Sequence, residues 1–329
     1  MAAQRWGMTV PLDSLPLVEH RELYRELVDL GYTDIWSSEA GGTDGFTPLT
    51  LAAAWAPELR LGTAITPVYL RGPALLAQSV AALAEASQGR FVLGVGTSSN
   101  VIVERWNGMS FDQPFQRVRD TVRFLRTALA GGKVVEEYET FAVNGFRLGR
   151  PLPEDQRPPI LIAALRPGML RLAGREADGV ILNWLAAEDV PTVTNYVHEA
   201  ADGADSADRE VAARIFVLPV DDAETARTIG RMAIAAYLTV PVYAKFHEWL
   251  GRGEQLAGLW KNWEAGDRKA AVAAIPDEIV DALIVHGSPD ACREHVERYV
   301  AAGVGTPAIA LLPGQYDQRE AIRALAPKR

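Results

Sequence analysis

Short apolar runs recur along the chain and are separated by segments with helical spacing. The runs occupy residues 5–10, 33–37, 60–65, 91–96, 159–164, 178–183, 213–220 and 307–312. Most of them are continuously apolar rather than alternating, as is typical of strands buried on both faces of a parallel sheet. Eight such strands alternating with helices predict an α/β fold, and specifically a (β/α)8 TIM barrel rather than an open sheet.

Two gaps between the predicted strands are longer than a single helix requires. Residues 132–158 contain a hairpin-like stretch with Asn144-Gly145 as the expected turn. Residues at about 237–288 contain several helices, and the part between 237 and 263 is rich in tryptophan and tyrosine. We interpret both segments as insertions in one TIM-barrel domain spanning residues 1–329. Helix packing is the favoured role of the aromatic residues, with a substrate lid or a subunit interface as alternatives.

Composition and charge exclude several classes of protein. The formal net charge is -9 and the sequence holds no cluster of basic residues, so a nucleic-acid partner is not expected. Cys292 is the only cysteine, which rules out an intrachain disulfide and suits a reducing cytoplasm. The N-terminus lacks an apolar signal core, and no apolar run is long enough to span a bilayer. We therefore expect a soluble, cytoplasmic protein that acts on a small molecule, without a membrane partner.

The segments that follow the predicted strands are the place to look for chemistry, because TIM barrels carry their sites at the carboxyl ends of the strands. One apolar run leads directly into Gly96-Thr97-Ser98-Ser99, a turn rich in backbone N–H and hydroxyl groups. Other strand ends contribute small residues, one carboxylate (Glu39) and one arginine (Arg166). This set suits a large, flat cofactor that forms hydrogen bonds better than a compact charged substrate.

Four segments carry a resemblance to a known family. In chain order they are EAGGTDGFTPLTLAA (39–53), LGTAITPVYLRGPALLAQS (61–79), GRFVLGVGTSSNVIVERWNG (89–108) and ADGVILNW (177–184). Together they resemble the bacterial luciferase-like family, and more narrowly its actinobacterial oxidoreductases that use the deazaflavin coenzyme F420. Each motif alone is weak, but the four in the expected order are a strong signal, and the resemblance covers nearly the whole chain.

The resemblance implies a TIM barrel whose deazaflavin ring lies across the C-terminal mouth. Glu39 matches the second-strand position that faces the ring or the substrate. Ala64, Ile65 and Thr66 match a bulge in the third strand, often with a non-proline cis peptide, that supports the back of the ring. The remaining matched positions are the turn beside the ring and its ribityl chain (Gly96, Thr97, Ser98, Ser99), the phosphate-binding segment at a helix N-terminus (Ala163, Ala164, Leu165, Arg166, Pro167) and the nearby sixth-strand end (Leu182, Asn183).

The chain departs from the family pattern at two of these places. Relatives that oxidise a sugar phosphate carry an acidic residue in the fourth-strand turn, where this chain has Ser98-Ser99. They also carry glycines in the phosphate segment, where this chain has Leu165-Arg166. The first departure argues against sugar-phosphate oxidation. After the second, phosphate binding requires free N–H groups at Leu165 and Arg166, to which the guanidinium would add charge. Arg71, before Gly72-Pro73, is a weaker candidate for a phosphate ligand.

Glu39 has two competing interpretations. It is either a general acid that delivers a proton as hydride moves or a structural carboxylate that accepts hydrogen bonds from the glycine-rich loop after it. Other site classes are not expected. The five histidines show no ligand-like spacing, which argues against a metal site, and no G-x-S-x-G hydrolase motif occurs. Gly94-Val95-Gly96 lacks the third glycine of a dinucleotide-binding fingerprint.

These observations lead to one main hypothesis for function. The protein is expected to be a coenzyme F420-dependent oxidoreductase that transfers a hydride between C5 of the deazaflavin and an organic substrate, with Glu39 or a serine-held water handling the proton. The missing acidic residue favours reduction of an unsaturated or carbonyl compound over alcohol oxidation. The alternatives are an FMN-dependent monooxygenase of the same family and a non-catalytic flavin- or deazaflavin-binding protein. A homodimer or higher homo-oligomer is expected from the family resemblance.

Overall fold

Parallel strands close into a barrel in the computed structural model, which describes residues 4–201 and 209–328. The strands are β1 (Gly7–Thr9), β2 (Asp34–Ser37), β3 (Arg60–Thr63), β4 (Thr66–Pro67), β5 (Phe91–Gly96), β6 (Val134–Glu137), β7 (Ala142–Phe146), β8 (Ile160–Ala163), β9 (Gly179–Asn183), β10 (Glu210–Leu218), β11 (Val285–His286) and β12 (Thr306–Leu311). Eight of them form the barrel in the order β1-β2-β3-β5-β8-β9-β10-β12, and β12 pairs with β1 to close it. The predicted TIM barrel is confirmed.

Helices alternate with the strands and cover the outside of the barrel. They are α1 (His20–Asp29), α2 (Thr47–Trp55), α3 (Pro73–Ala86), α4 (Pro114–Leu129), α5 (Pro167–Glu176), α6 (Val190–Ala200), α7 (Ala223–Leu238), α8 (Pro241–Trp249), α9 (Gly253–Glu264), α10 (Arg268–Ala273), α11 (Asp277–Leu283), α12 (Pro289–Ala301) and α13 (Gln318–Ala324). Consecutive helices from α1 to α6 pack side by side around the strands. No helix within the described residues is long and apolar enough to cross a membrane.

The strand boundaries follow the apolar runs closely. Every predicted barrel strand overlaps an observed one, and the ends agree to within three residues. The largest break lies in the run 60–65, which stops being a strand at Thr63 and resumes as β4 at Thr66. Between them the Ala64–Ile65 peptide bond is cis.

The predicted hairpin in residues 132–158 is present, but the expected turn is wrong. The chain reverses between Tyr138 and Phe141, where the N–H of Tyr138 donates to the carbonyl of Phe141. Asn144 and Gly145 lie inside β7, and the register shifts beside them, with Val135 opposite Asn144 and Val134 opposite Phe146. Gly145 has φ 86°, so it is the extra residue of a β-bulge. A positive φ serves both a bulge and a tight turn, and the Asn-Gly pair therefore did not distinguish them.

The helices between β10 and β12 form a second apolar cluster with side chains at the C-terminal end of the barrel. This cluster contains Trp184 and Phe216 from the strand ends together with buried residues of α7, α9 and α11. Trp260 donates its indole N–H to the carbonyl of Leu238, so part of the aromatic segment serves helix packing. That 132–158 and 237–288 are insertions in a single domain stays a prediction.

The indole of Trp36 fills the barrel interior, and two glycines make room for it. Trp36 is 1% exposed and packs among inward-facing residues of five other strands: Val92, Leu161, Ile181, Ala212 and Ala308. A Cβ at Gly62 would lie 2.3 Å from Cε3 of the indole, and a Cβ at Gly7 would lie 3.1 Å from its Cδ1. These positions therefore require residues without side chains.

Between Trp36 and the N-terminal end of the barrel, polar side chains that face the barrel axis pair with one another. The Arg60 guanidinium forms two hydrogen bonds to the Glu210 carboxylate, at 2.7 and 2.6 Å, and a third contact to buried Asp34 at 3.3 Å. Thr306 donates to Glu210 at 2.8 Å. Burial alone would raise the pKa of Glu210, but the hydrogen bonds and charge of Arg60 hold that pKa below its usual value. The N-terminal end of the barrel is thus closed by a satisfied ionic network.

Adding one methyl group at Gly62 should destabilise the fold. The Gly62→Ala variant forces its Cβ into the Trp36 ring, and overpacking of this kind costs about 1–3 kcal/mol. Urea unfolding followed by tryptophan fluorescence measures the loss. Gly149→Ala is the control, because a Cβ there meets nothing within 4 Å, and it should change stability by less than about 0.5 kcal/mol. Equal effects of the two variants would contradict the packing argument.

Candidate active site

Small residues form a flat apolar surface at the C-terminal mouth of the barrel. Ala64, Ile65 and Ala163 are partly exposed and rest on the interior core that contains Trp36. Gly96 lies between them, because a Cβ there would stand 3.1 Å from Cβ of Ala163 and 3.3 Å from Cδ1 of Ile65. This surface, here called the floor, offers a planar ring system one apolar face to lie against.

Glu39 anchors the loop beside the floor. Its N–H donates to the carbonyl of Ile65 at 3.3 Å, which ties the end of β2 to the cis peptide. Its carboxylate is 8% exposed and lies 2.6 Å from Nη1 of Arg71, and Oε1 also accepts the N–H of Gly45 at 2.9 Å. The carboxylate is thus occupied as an acceptor, an arrangement that matches the structural interpretation of Glu39.

The turn after β5 places its hydroxyl residues at the mouth. Ser98 adopts a left-handed backbone, with φ 61°, and it lies with Thr97 and Ser99 among the partly exposed residues. The hydroxyl of Ser99 accepts the N–H of Ile102 at 3.3 Å, at the start of a π-helix over Val101–Trp106. The Ser98 hydroxyl is therefore free to face a ligand, whereas the Thr97 hydroxyl donates to the carbonyl of Ser98 at 3.1 Å and Ser99 also serves as a cap.

The segment after β8 leaves several N–H groups without acceptors. Arg166 is the N-cap of α5 in an extended conformation, no side chain caps this helix, and Pro167 at its first position has no N–H to offer. Within the described residues the N–H groups of Leu165, Arg166, Gly168 and Met169 have no hydrogen-bond acceptor, and the first hydrogen bond of this helix runs from the N–H of Leu170 to the carbonyl of Arg166. The Arg166 side chain is exposed beside them. Free N–H groups, a helix dipole and a guanidinium together form a site for an anion.

The end of β9 supplies one inward polar side chain. Asn183 donates its amide N–H to the hydroxyl of Tyr243 at 3.2 Å, while its Oδ1 is buried and has no partner among the described residues. Burial raises the pKa of Tyr243 to about 12, so this hydroxyl keeps its proton at neutral pH. Trp184, the next residue, stacks on Phe216 with ring centroids 4.1 Å apart.

Two of the expected site residues point away from the mouth. Leu182 and Ala164 are 1% and 3% exposed, and both side chains belong to the apolar layer between barrel and helices. Leu182 and Ala164 can therefore contact a ligand at the mouth only through their backbone atoms. Thr66 is also buried, and its hydroxyl has no partner among the described residues.

Sequence reasoning missed two residues at the mouth and misassigned a third. Arg214 of β10 and Tyr243 of α8 both approach Asn183, Arg214 through strand pairing and Tyr243 through its hydroxyl. Arg71 was considered as a phosphate ligand but instead pairs with Glu39. The one signal available was the single cation within the apolar run 213–220. Among the described residues no group of three or more histidine, cysteine or acidic side chains is arranged to hold a metal ion.

The chain is similar to known proteins over most of its length. The family model for luciferase-like monooxygenases matches residues 3–306. A Mycobacterium tuberculosis protein named as a coenzyme F420-dependent oxidoreductase is 27% identical, and the match covers 91% of this chain and 90% of that protein. A 5,10-methylenetetrahydromethanopterin reductase from Archaeoglobus fulgidus is also 27% identical, and the match covers 97% of each chain.

A solved structure has the same fold. The coenzyme F420-dependent tetrahydromethanopterin reductase from Methanopyrus kandleri superposes with a TM-score of 0.78, and the match covers 99% of this chain and 98% of that one. The sequence identity is 22%, so this likeness establishes the fold only.

The Glu39–Arg71 pair should be strongly coupled. Replacing either member of a mostly buried ion pair leaves the other charge unpaired, so Glu39→Gln and Arg71→Met should each lower stability, and the double variant should lose less than their sum. A double-mutant cycle from urea unfolding should give a coupling of about 1–3 kcal/mol.

The exposed pair Arg150–Glu85, with side chains 81% and 49% exposed, is the matched control for this cycle. Its coupling should stay below about 0.5 kcal/mol, as is usual for surface ion pairs. If the Glu39–Arg71 coupling were no larger than this, the anchoring role of Glu39 would be wrong.

Proposed function

This chain belongs to the luciferase-like monooxygenase family, and from that membership we propose that it is a coenzyme F420-dependent oxidoreductase that reduces an unsaturated or carbonyl compound by hydride transfer. One observation carries the proposal. The floor and the uncapped N-terminus of α5 lie side by side at the same barrel mouth, because the floor comes from the neighbouring strands β3, β5 and β8 and α5 follows β8. A ring with a phosphorylated side chain needs both features. The full-length relative from Mycobacterium tuberculosis supports the deazaflavin as the cofactor.

The residues present fit this group. Ala64, Ile65, Gly96 and Ala163 would support the ring from below, and the free N–H groups at Leu165 and Arg166 would bind the phosphate. Leucine and arginine replace the glycines of some relatives, but their N–H groups are still available. The hydroxyl of Ser98 would contact the polar chain between ring and phosphate, and the hydroxyl of Thr97, which donates to the Ser98 carbonyl, would accept a hydrogen bond from that chain.

The protein contributes orientation and exclusion of water. When bound, the deazaflavin would supply the hydride, as is usual where the cofactor carries the chemistry. The floor closes one face of the site, so a substrate must approach from the open face. Because the Glu39 carboxylate is occupied by Arg71 and Gly45, we assign the proton to a water held by Ser38, which follows β2 and lines a cavity at the mouth. Glu39 then acts as a positioning residue.

Three sequence expectations accompany this proposal. The chain would form a homodimer or higher homo-oligomer, work in the cytoplasm and fold as one domain with two insertions. Light scattering of the purified protein measures the first of these directly.

Purified protein should bind oxidised coenzyme F420 tightly and FMN weakly. Parallel fluorescence titrations with the two cofactors provide the measurement. Tight binding of FMN alone would overturn the proposal in favour of a flavin-dependent monooxygenase. Binding of coenzyme F420 without turnover of any unsaturated or carbonyl acceptor would favour a carrier protein instead.

Arg166→Gln should weaken the binding of coenzyme F420 by about tenfold or more, because a hydrogen bond to a charged group contributes about 1.5–3 kcal/mol. Inorganic phosphate should compete with the cofactor in the unchanged protein. Arg171→Gln is the matched control on the same helix, since its guanidinium lies 4.7 Å from the ring centroid of Tyr196 on α6. If the two variants weakened binding equally, or phosphate did not compete, the phosphate site would have to lie elsewhere.

A further inference from the structure

Arg214 faces the barrel axis at the C-terminal mouth. Along β10 the inward positions alternate with outward ones, and Ala212 belongs to the interior core around Trp36. Arg214, two residues later, therefore points inward one layer above it. Its partners in the sheet are Asn183 of β9 and Ala308 of β12.

The guanidinium of Arg214 lacks an anionic partner. Within the described residues it forms no ion pair, and its Nε is buried without a hydrogen-bond acceptor. Its Cζ lies 5.0 Å from the centroid of the Phe216 ring. Among the other partly buried arginines of the described chain, Arg60, Arg71 and Arg252 pair with the carboxylates of Glu210, Glu39 and Asp189, whereas Arg90 and Arg117 donate to backbone carbonyls. Arg214 has neither kind of partner among the described residues, and a partly buried cation without any acceptor is costly.

A cavity of about 870 Å³ opens in front of Arg214. It is bounded by the loops that follow β1, β2 and β12 and by Tyr237 of α7. Two further buried polar atoms without partners, Oγ1 of Thr9 and Oγ1 of Thr43, belong to residues that line it. The carboxylates on its boundary, Asp13 and Asp317, are exposed, and Asp317 already caps α13. Three unsatisfied polar groups thus border one cavity of ligand size.

The cavity and the floor occupy different sides of the mouth. The floor comes from the ends of β3, β5 and β8, whereas the cavity lies at the ends of β1, β2, β10 and β12. A ligand in the cavity would therefore lie beside a ring on the floor rather than in its place.

We infer that Arg214 binds the carboxylate of an acidic substrate, such as an α,β-unsaturated or 2-oxo acid, with the Thr9 and Thr43 hydroxyls as additional donors. The planar guanidinium matches the two oxygens of a carboxylate. Arg319 also lines the cavity but is paired with Glu26, and one unpaired cation with two neutral hydroxyls suits a monoanion better than a phosphate dianion. The inference rests on the proposed function, because it names the substrate class of the same reaction.

The test compares acids with their methyl esters. Protein loaded with oxidised coenzyme F420 is titrated with a panel of α,β-unsaturated and 2-oxo acids, the matching esters and phosphorylated analogues, and binding is followed by calorimetry. At least one acid should bind about 10- to 100-fold more tightly than its ester. Arg214→Met should remove this difference, and Arg214→Lys should restore part of it.

Arg171→Met is the matched control, because it also removes a guanidinium stacked on an aromatic ring but lies on the outer helical layer. It should leave the preference for acids unchanged, and all variants should bind coenzyme F420 as the unchanged protein does. Equal binding of every acid and its ester, or a preference that survives Arg214→Met, would overturn the inference. So would a stronger, Arg214-dependent preference for the phosphorylated analogues.

The two proposals can fail separately. If the protein binds coenzyme F420 but does not prefer acids, the substrate class is wrong and the proposed function stands. If it does not bind coenzyme F420, the proposed function is wrong, and the same acid and ester titration on the cofactor-free protein decides whether Arg214 binds carboxylates.

Discussion

The fit of one indole inside the barrel is the constraint on which the site depends. Trp36 takes the space that Gly7 and Gly62 leave free, and it fills the centre of a ring of eight strands, where it packs against smaller aliphatic side chains. Ala64, Ile65 and Ala163 rest on this core. The floor is therefore held by a closely packed interior, and close packing transmits small displacements. A change in the barrel centre would move the surface on which a ring is expected to lie.

Inward-facing polar groups are paired at one end of the barrel and lack partners in the described chain at the other. At the N-terminal end, Asp34, Arg60, Glu210 and Thr306 satisfy one another. At the C-terminal end, Thr9, Asn183 and Arg214 face the same axis and keep buried atoms without partners in the described chain. Both sets occupy inward positions of barrel strands, so the strand geometry alone does not explain the contrast. A satisfied network contributes to stability, whereas unsatisfied buried groups need a ligand or water to complete them.

The sequence predicted the fold well because the signal for a buried parallel strand is local. A continuous run of valine, isoleucine and leucine identifies such a strand wherever it occurs. Contacts between distant segments carry no such signal. Glu39 and Arg71 are separated by a helix and two strands, so the sequence left the role of Glu39 open and suggested a different role for Arg71. The Asn144-Gly145 pair shows another limit, since a positive φ is required by a bulge as well as by a turn.

Arg214 is the case in which a local signal existed and was not used. A cation inside an otherwise apolar strand either points outward into the helical layer, where it would need a partner, or inward to the barrel axis. Which of the two holds depends on the register of β10, and register is fixed by pairing with β9 and β12 rather than by the run itself. Once Ala212 is known to face Trp36, the side of Arg214 follows from the two-residue period of a strand. The floor is built from small residues that many related barrels can supply, so selectivity for a substrate must come from positions such as this one and from the loops around it.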